Sequence, residues 1–232
     1  MRRSIARSAL ALLPVLLIGT QSWAHGVGAT DAAFVAQGAG TRIGPFLYLG
    51  AKHMVTGYDH LLFLLGVIFF LNRFREVALY VTLFAAGHSV TLLTGVLNDW
   101  RFNPWLIDAI IGLSVAYKAF DNIGGFKSVF GVQPDTRAAV LLFGLAHGLG
   151  LATKLHDLEL STQGLVPNML AFNVGVELGQ LAALSLILMV MTWWRAKATF
   201  MRQAFAANVV LMAAGFALMQ YQLVGLALAV RA

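Results

Sequence analysis

Long apolar runs separated by short polar loops organise the chain from residue 44 onward. They fall at 46–71, 77–97, 104–120, 138–155, 168–194 and 204–228. Each is close to the ~20 residues that a helix needs to cross a hydrocarbon layer of ~30 Å. The pattern predicts an all-α membrane protein, with six transmembrane helices in one domain over 44–232. Gly57 predicts an interruption of the first run, because glycine weakens a helix by about 1 kcal/mol relative to alanine. Pro104 suits the first turn of the third helix, and Trp193 and Trp194 suit an interfacial anchor at the end of the fifth. The segment 121–137, with Gly124-Gly125 and Pro134, reads as the clearest break in the chain.

The N-terminus follows another pattern. A basic stretch containing Arg2, Arg3 and Arg7 precedes an apolar run at 9–18, and Ser22-Trp23-Ala24 offers a small-x-small cleavage site. Residues 1–24 are therefore expected to be a cleaved signal peptide. Residues 25–43 would follow as an exposed periplasmic segment beginning at His25. Loop charge sets the orientation. Arg73, Arg75, Lys127, Arg137, Arg195, Lys197 and Arg202 outweigh the basic residues of the opposite loops. The protein is expected in a bacterial inner membrane with both mature termini periplasmic.

Composition agrees. The chain is 59% hydrophobic and 11% charged, with a mean hydropathy of +0.77, against about 25% charged for soluble domains. The formal charge of +6 includes the three N-terminal arginines, so it does not point to nucleic acid. There is no cysteine, which excludes thiolate ligands, disulfides and thiol redox motifs.

The candidate chemistry lies in the apolar runs. Ionisable groups inside a bilayer cost several kcal/mol each by insertion scales (roughly 2.5–3.5), and they mark ion or substrate paths. His53, Asp59, His60, His88, His147 and Glu177 are the expected metal ligands, all between the midplane and the periplasmic face. His53 and His60 stand seven residues apart, so on an unbroken helix they lie about 10 Å apart along the axis. A metal–imidazole bond is about 2 Å. Either the helix breaks at Gly57 and folds His53 back, or His53 is an entry residue and Asp59-His60 form the site. Ser89, beside His88, is an auxiliary candidate that could fix an imidazole tautomer. Asp108, Asn173 and Gln180 are further auxiliary candidates, with Asn173, Glu177 and Gln180 on one face of the fifth helix. Gly144 and Gly148 form a small-xxx-small face for close helix approach. His25, once at a free amino terminus, could capture Cu(II) or Ni(II). The phenylalanine and leucine stripes are expected to face lipid.

His53-x5-Asp59-His60-Leu61-Leu62-Phe63-Leu64, Gly87-His88-Ser89-x-Thr91-Leu92, Gly144-Leu145-x-His147-Gly148-Leu149-Gly150 and Phe172-Asn173-x-Gly175-Val176-Glu177-x-Gly179-Gln180 resemble the HupE/UreJ family of hydrogenase and urease accessory membrane proteins. The resemblance covers roughly residues 44 to 225. It implies a nickel or cobalt permease in which the histidines and aspartate of the first motif are essential. Metalloenzyme maturation proteins would be its partners. In the run 143–150 the chain lacks the first histidine of the nickel-handling pattern and has Gly150 where that pattern ends in glutamate.

The expected function is secondary or facilitated transport of a divalent transition metal, with Ni or Co foremost and Zn or Cu as alternatives. No ATP-binding loop is present, and no permanently bound cofactor is expected. Nitrogen and carboxylate donors without sulfur suit these divalent ions better than Cu(I). Two other classes remain open on sequence. One is an intramembrane metal-dependent hydrolase using Glu177 as base, disfavoured because no His-Glu-x-x-His pair occurs. The other is an accessory protein that assists metallocentre assembly without conducting.

Overall fold

The computed structural model describes residues 40–156 and 163–230, and every regular element among them is helical. Residues 1–24, the expected signal peptide, and His25 lie outside the described residues. The helices are α1 (Ile43–Thr56), α2 (Tyr58–Ile68), α3 (Phe74–Leu97), α4 (Pro104–Asn122), α5 (Gly125–Phe130), α6 (Thr136–His156), α7 (Leu165–Arg195) and α8 (Phe200–Ala229). Four of them are long and apolar enough to cross a membrane: α3, α6 over Thr136–Leu155, α7 and α8.

The break expected in the first run is present. α1 ends and α2 begins at Gly57, which takes an extended conformation with φ −74° and ψ 96°. At 1.5 Å per residue neither half reaches 30 Å, being about 21 Å and about 17 Å long. The start of α4 also agrees with expectation. Pro104 occupies its first turn, and the Asn103 side chain accepts a hydrogen bond from the Leu106 amide at 3.3 Å. The segment 121–137 holds more structure than its glycines suggested. α5 forms between Gly124 and Gly131, both at positive φ. Its Phe126 ring packs on Tyr117 and Phe120 of α4 at 4.7 and 4.9 Å.

The long helices pack as three close pairs, α3 with α6, α1 with α7, and α4 with α8, and α4 also meets α6 and α2. Glycine sets the tightest contacts. A Cβ at Gly144 would lie 2.5 Å from the Phe84 carbonyl oxygen, and one at Gly148 would collide with that of His88. The predicted small-residue face of α6 therefore meets α3. Thr91 reinforces that seam by donating to the Leu145 carbonyl at 2.7 Å.

The far end of α2 is closed by α7. The last carbonyls of any helix lack intrahelical partners. Here the Arg195 guanidinium donates to Leu71 O at 2.8 Å, to Phe69 O at 3.0 Å and also to Ile68 O. Asn122 of α4 adds a bond to Gly66 O at 2.8 Å. Arg195→Ala should lower the thermal unfolding midpoint of the detergent-solubilised protein, at a cost of about 1–3 kcal/mol for the orphaned carbonyls. Arg195→Lys should recover only part of it, because an ammonium lacks the planar fork. An unchanged midpoint in the alanine variant would show that the carbonyls find other partners.

Candidate metal centre

Gly57 turns the chain where α1 hands over to α2, and the turn brings His53 back to His60. Their ring centroids lie 5.1 Å apart at 78°. The first of the two readings of the motif is the one found. Glycine is required by crowding: a Cβ at 57 would sit 2.8 Å from His60 Nδ1 and 3.3 Å from Asp59 Oδ1.

His60 is the hub. Its ring centroid lies 4.5 Å from that of His147 and 6.0 Å from that of His88, and its Nδ1 lies 3.1 Å from Asp59 Oδ1. Two overlapping groups of donors result. In His53/His60/His88 and in Asp59/His60/His147, one donor atom per residue lies within 4.8 Å of the others. Donors bound tetrahedrally at about 2.0–2.1 Å stand about 3.3 Å apart, so small side-chain rotations would close either group on one ion. Asp59, His60, His88 and His147 are all buried, and His53 is half-buried.

The hydrogen bonds around these rings select a tautomer. Ser114 Oγ donates to the Ile111 carbonyl at 2.6 Å, which uses its proton. At 3.3 Å from His147 Nε2 it can then only accept, so His147 carries its proton on Nε2 and presents the Nδ1 lone pair. The Asp59 carboxylate plays the same part toward His60 Nδ1. His88 is different. It is 0% exposed, and neither ring nitrogen has a hydrogen-bond partner. A buried polar group left so costs about 1–3 kcal/mol. Two idle nitrogens beside two other imidazoles fit a cation.

An aromatic floor lies below. Phe63, Phe84 and Phe143 stand about one turn from His60, His88 and His147 on the same helices. Phe63 packs on Phe84 at 5.4 Å and on Phe143 at 5.8 Å. Phe63 and Phe84 are each 1% exposed, so these phenylalanines are core and do not face lipid as their stripe suggested. Each packs against a helix that the sequence pattern could not place.

The remaining candidates separate. Asn173 and Gln180 are buried on α7, with both side-chain polar atoms of each lacking a hydrogen-bond partner. Glu177 is exposed and does not belong to the close donor groups. At 100° per residue Gln180 lies about 20° from Asn173, but Glu177 lies about 60° from Gln180, at the margin of the shared face. Ser89 makes no hydrogen bond to His88; it points a further 100° round α3. Ser114 of α4 joins the site unannounced by the sequence. A single serine in an apolar helix carries no spacing signal, and only packing of α4 on α6 sets it against His147. Asp108 is paired with Lys154, whose Nζ donates to its two carboxylate oxygens at 3.0 and 2.8 Å.

Residues 29–229 match the family model described as HupE / UreJ protein. The chain belongs to that family. It is accordingly a multi-pass membrane protein of a metal-accessory and transport-related group. No curated protein and no solved structure matches it.

Proposed function

We propose that this HupE/UreJ protein carries a divalent transition metal ion across the bacterial inner membrane, with Ni(II) and Co(II) as the leading cargoes and Zn(II) or Cu(II) as the next. In this reading α1–α2 acts as one broken span and α4 as another, which completes six with the four apolar helices. The signal peptide is removed and both mature termini are periplasmic. The protein moves the ion and does not transform a substrate.

The observation that carries the reading is His88. A fully buried imidazole with two unused nitrogens, 6.0 Å from the His60 ring, is unfavourable unless it meets a ligand in part of its working cycle. The ligand set is His53, Asp59, His60, His88 and His147, with His60 common to both groups. An ion held by Asp59/His60/His147 can pass to His53/His60/His88 by exchanging donors around His60, without ever being bare. Borderline nitrogen ligands with one carboxylate suit these ions. The broken helix at the site repeats a device by which transporters place ion sites at mid-membrane.

The test is metal uptake by proteoliposomes, offering Ni, Co, Zn, Cu and Mn separately. Saturable entry of Ni(II) or Co(II), absent from protein-free vesicles, is the expected result. Lack of flux for every metal would overturn the reading and favour a non-conducting accessory role. Zinc retained stoichiometrically through purification, again without flux, would favour an enzyme.

A further inference from the structure

Two polar contacts bridge α4 and α6, at different levels. The inner one joins Ser114 to His147 at 3.3 Å. The other joins Asp108 to Lys154, with 9% and 17% of their side chains exposed. Asp108 precedes Ser114 by six residues and Lys154 follows His147 by seven, so the ion pair lies about 9–10 Å along the same seam. Between the two levels stands Gly150. A Cβ there would meet Ile107 Cγ2 and Ile111 Cδ1 at 3.1 Å each, and Asp108 Oδ1 at 3.7 Å. The seam therefore runs from an ion pair through a closed isoleucine constriction to the histidines.

The carboxylate and the ammonium suit different moments. Asp108 is an oxygen donor for a dication at the end of the seam away from the histidines, where Lys154 keeps 17% of its side chain exposed. Lys154 repels a dication and now covers that donor. Its four-carbon stem is flexible, so it can swing into water without moving α6. We propose that Asp108 is an outer reception site for the divalent cation and that Lys154 is the latch over it. The arriving ion displaces the ammonium and takes the carboxylate, and separation of the pair loosens α4 from α6 at Ile107 and Ile111. The uptake consequences rest on the permease reading; the latch itself does not.

The test has two arms. The chain has no cysteine, so Ile111→Cys gives a single thiol in the constriction. Its labelling by the neutral reagent methyl methanethiosulfonate is followed in lipid nanodiscs, where both faces are accessible. Labelling should be slow with the pair intact, and about tenfold faster when Lys154→Gln or Asp108→Asn is added, because either change removes the charge-assisted tie that holds α4 to α6 at this level. Adding Ni(II) to the intact pair should also accelerate it. Unchanged labelling in both variants overturns the latch whether or not the protein conducts. The second arm measures initial Ni(II) uptake at low concentration without the cysteine. Lys154→Gln should raise it severalfold and Asp108→Asn should lower it about tenfold. A merely structural ion pair would make both variants fall together, which overturns the reception site. Lack of uptake by the wild-type protein alongside fast labelling in the variants would instead overturn the permease reading.

Discussion

His60→Ala is expected to abolish metal uptake, with affinity for Co(II) or Ni(II) falling about 100-fold or more, beyond the 10–100-fold typical of removing a group that merely supports a ligand. No other residue belongs to both donor groups. Its removal leaves each with two donors and deprives Asp59 of its imidazole partner 3.1 Å away. Removing His53 alone should do less, since Asp59/His60/His147 stays complete. The measurements are initial uptake rate in proteoliposomes and metal titration of the purified protein. Gel filtration and thermal unfolding confirm that the variant is folded. A folded variant that still transports at the wild-type rate would rule out the histidine cluster as the path.

Gly57→Ala should be nearly as damaging, although it adds one methyl group and removes no donor. In a helix the change would be mildly favourable, by about 1 kcal/mol. At this break it places a carbon 2.8 Å from His60 Nδ1 and 3.1 Å from the His53 carbonyl oxygen. Either His60 rotates away from Asp59 or the α1–α2 turn opens and carries His53 off. Both separate the donors, so metal affinity should fall about 10–100-fold, as for loss of a supporting group. The unfolding temperature should change by only a few degrees, because the helices on either side keep their contacts. Wild-type affinity in this variant would show that the turn has slack and that the His53–His60 approach is not a requirement. Arg195→Ala would show the converse pattern, with lowered stability and nearly unchanged affinity. It acts at the other end of α2, on Leu71, Phe69 and Ile68 carbonyls.

Several determinants are legible in the sequence itself. Apolar runs of bilayer length define the helices, because hydrocarbon admits only a backbone satisfied within itself. The extent of α3, α7 and α8 therefore follows from composition to within a few residues. Gly57 announces a break because it is the weak point of an otherwise helical run. His60, His88 and His147 announce chemistry because imidazoles in such runs need a reason to be there. The faces of α6 bearing Gly144 and Gly148 were readable for a related reason, since small residues one turn apart permit close approach. Tertiary structure decided which of these groups meet. A spacing of seven residues could not say whether His53 turns back to His60 or points elsewhere, since that depends on the angle of the break. Helical periodicity put Glu177 on the face of Asn173 and Gln180, but 60° of rotation is enough to take a side chain from an interface to the outside. Ser114 and Lys154 had no mark in the sequence. Each acquires its role only because α4 lies against α6, and the packing partner of a helix that is apolar on every side is a property of the whole bundle, not of its own residues.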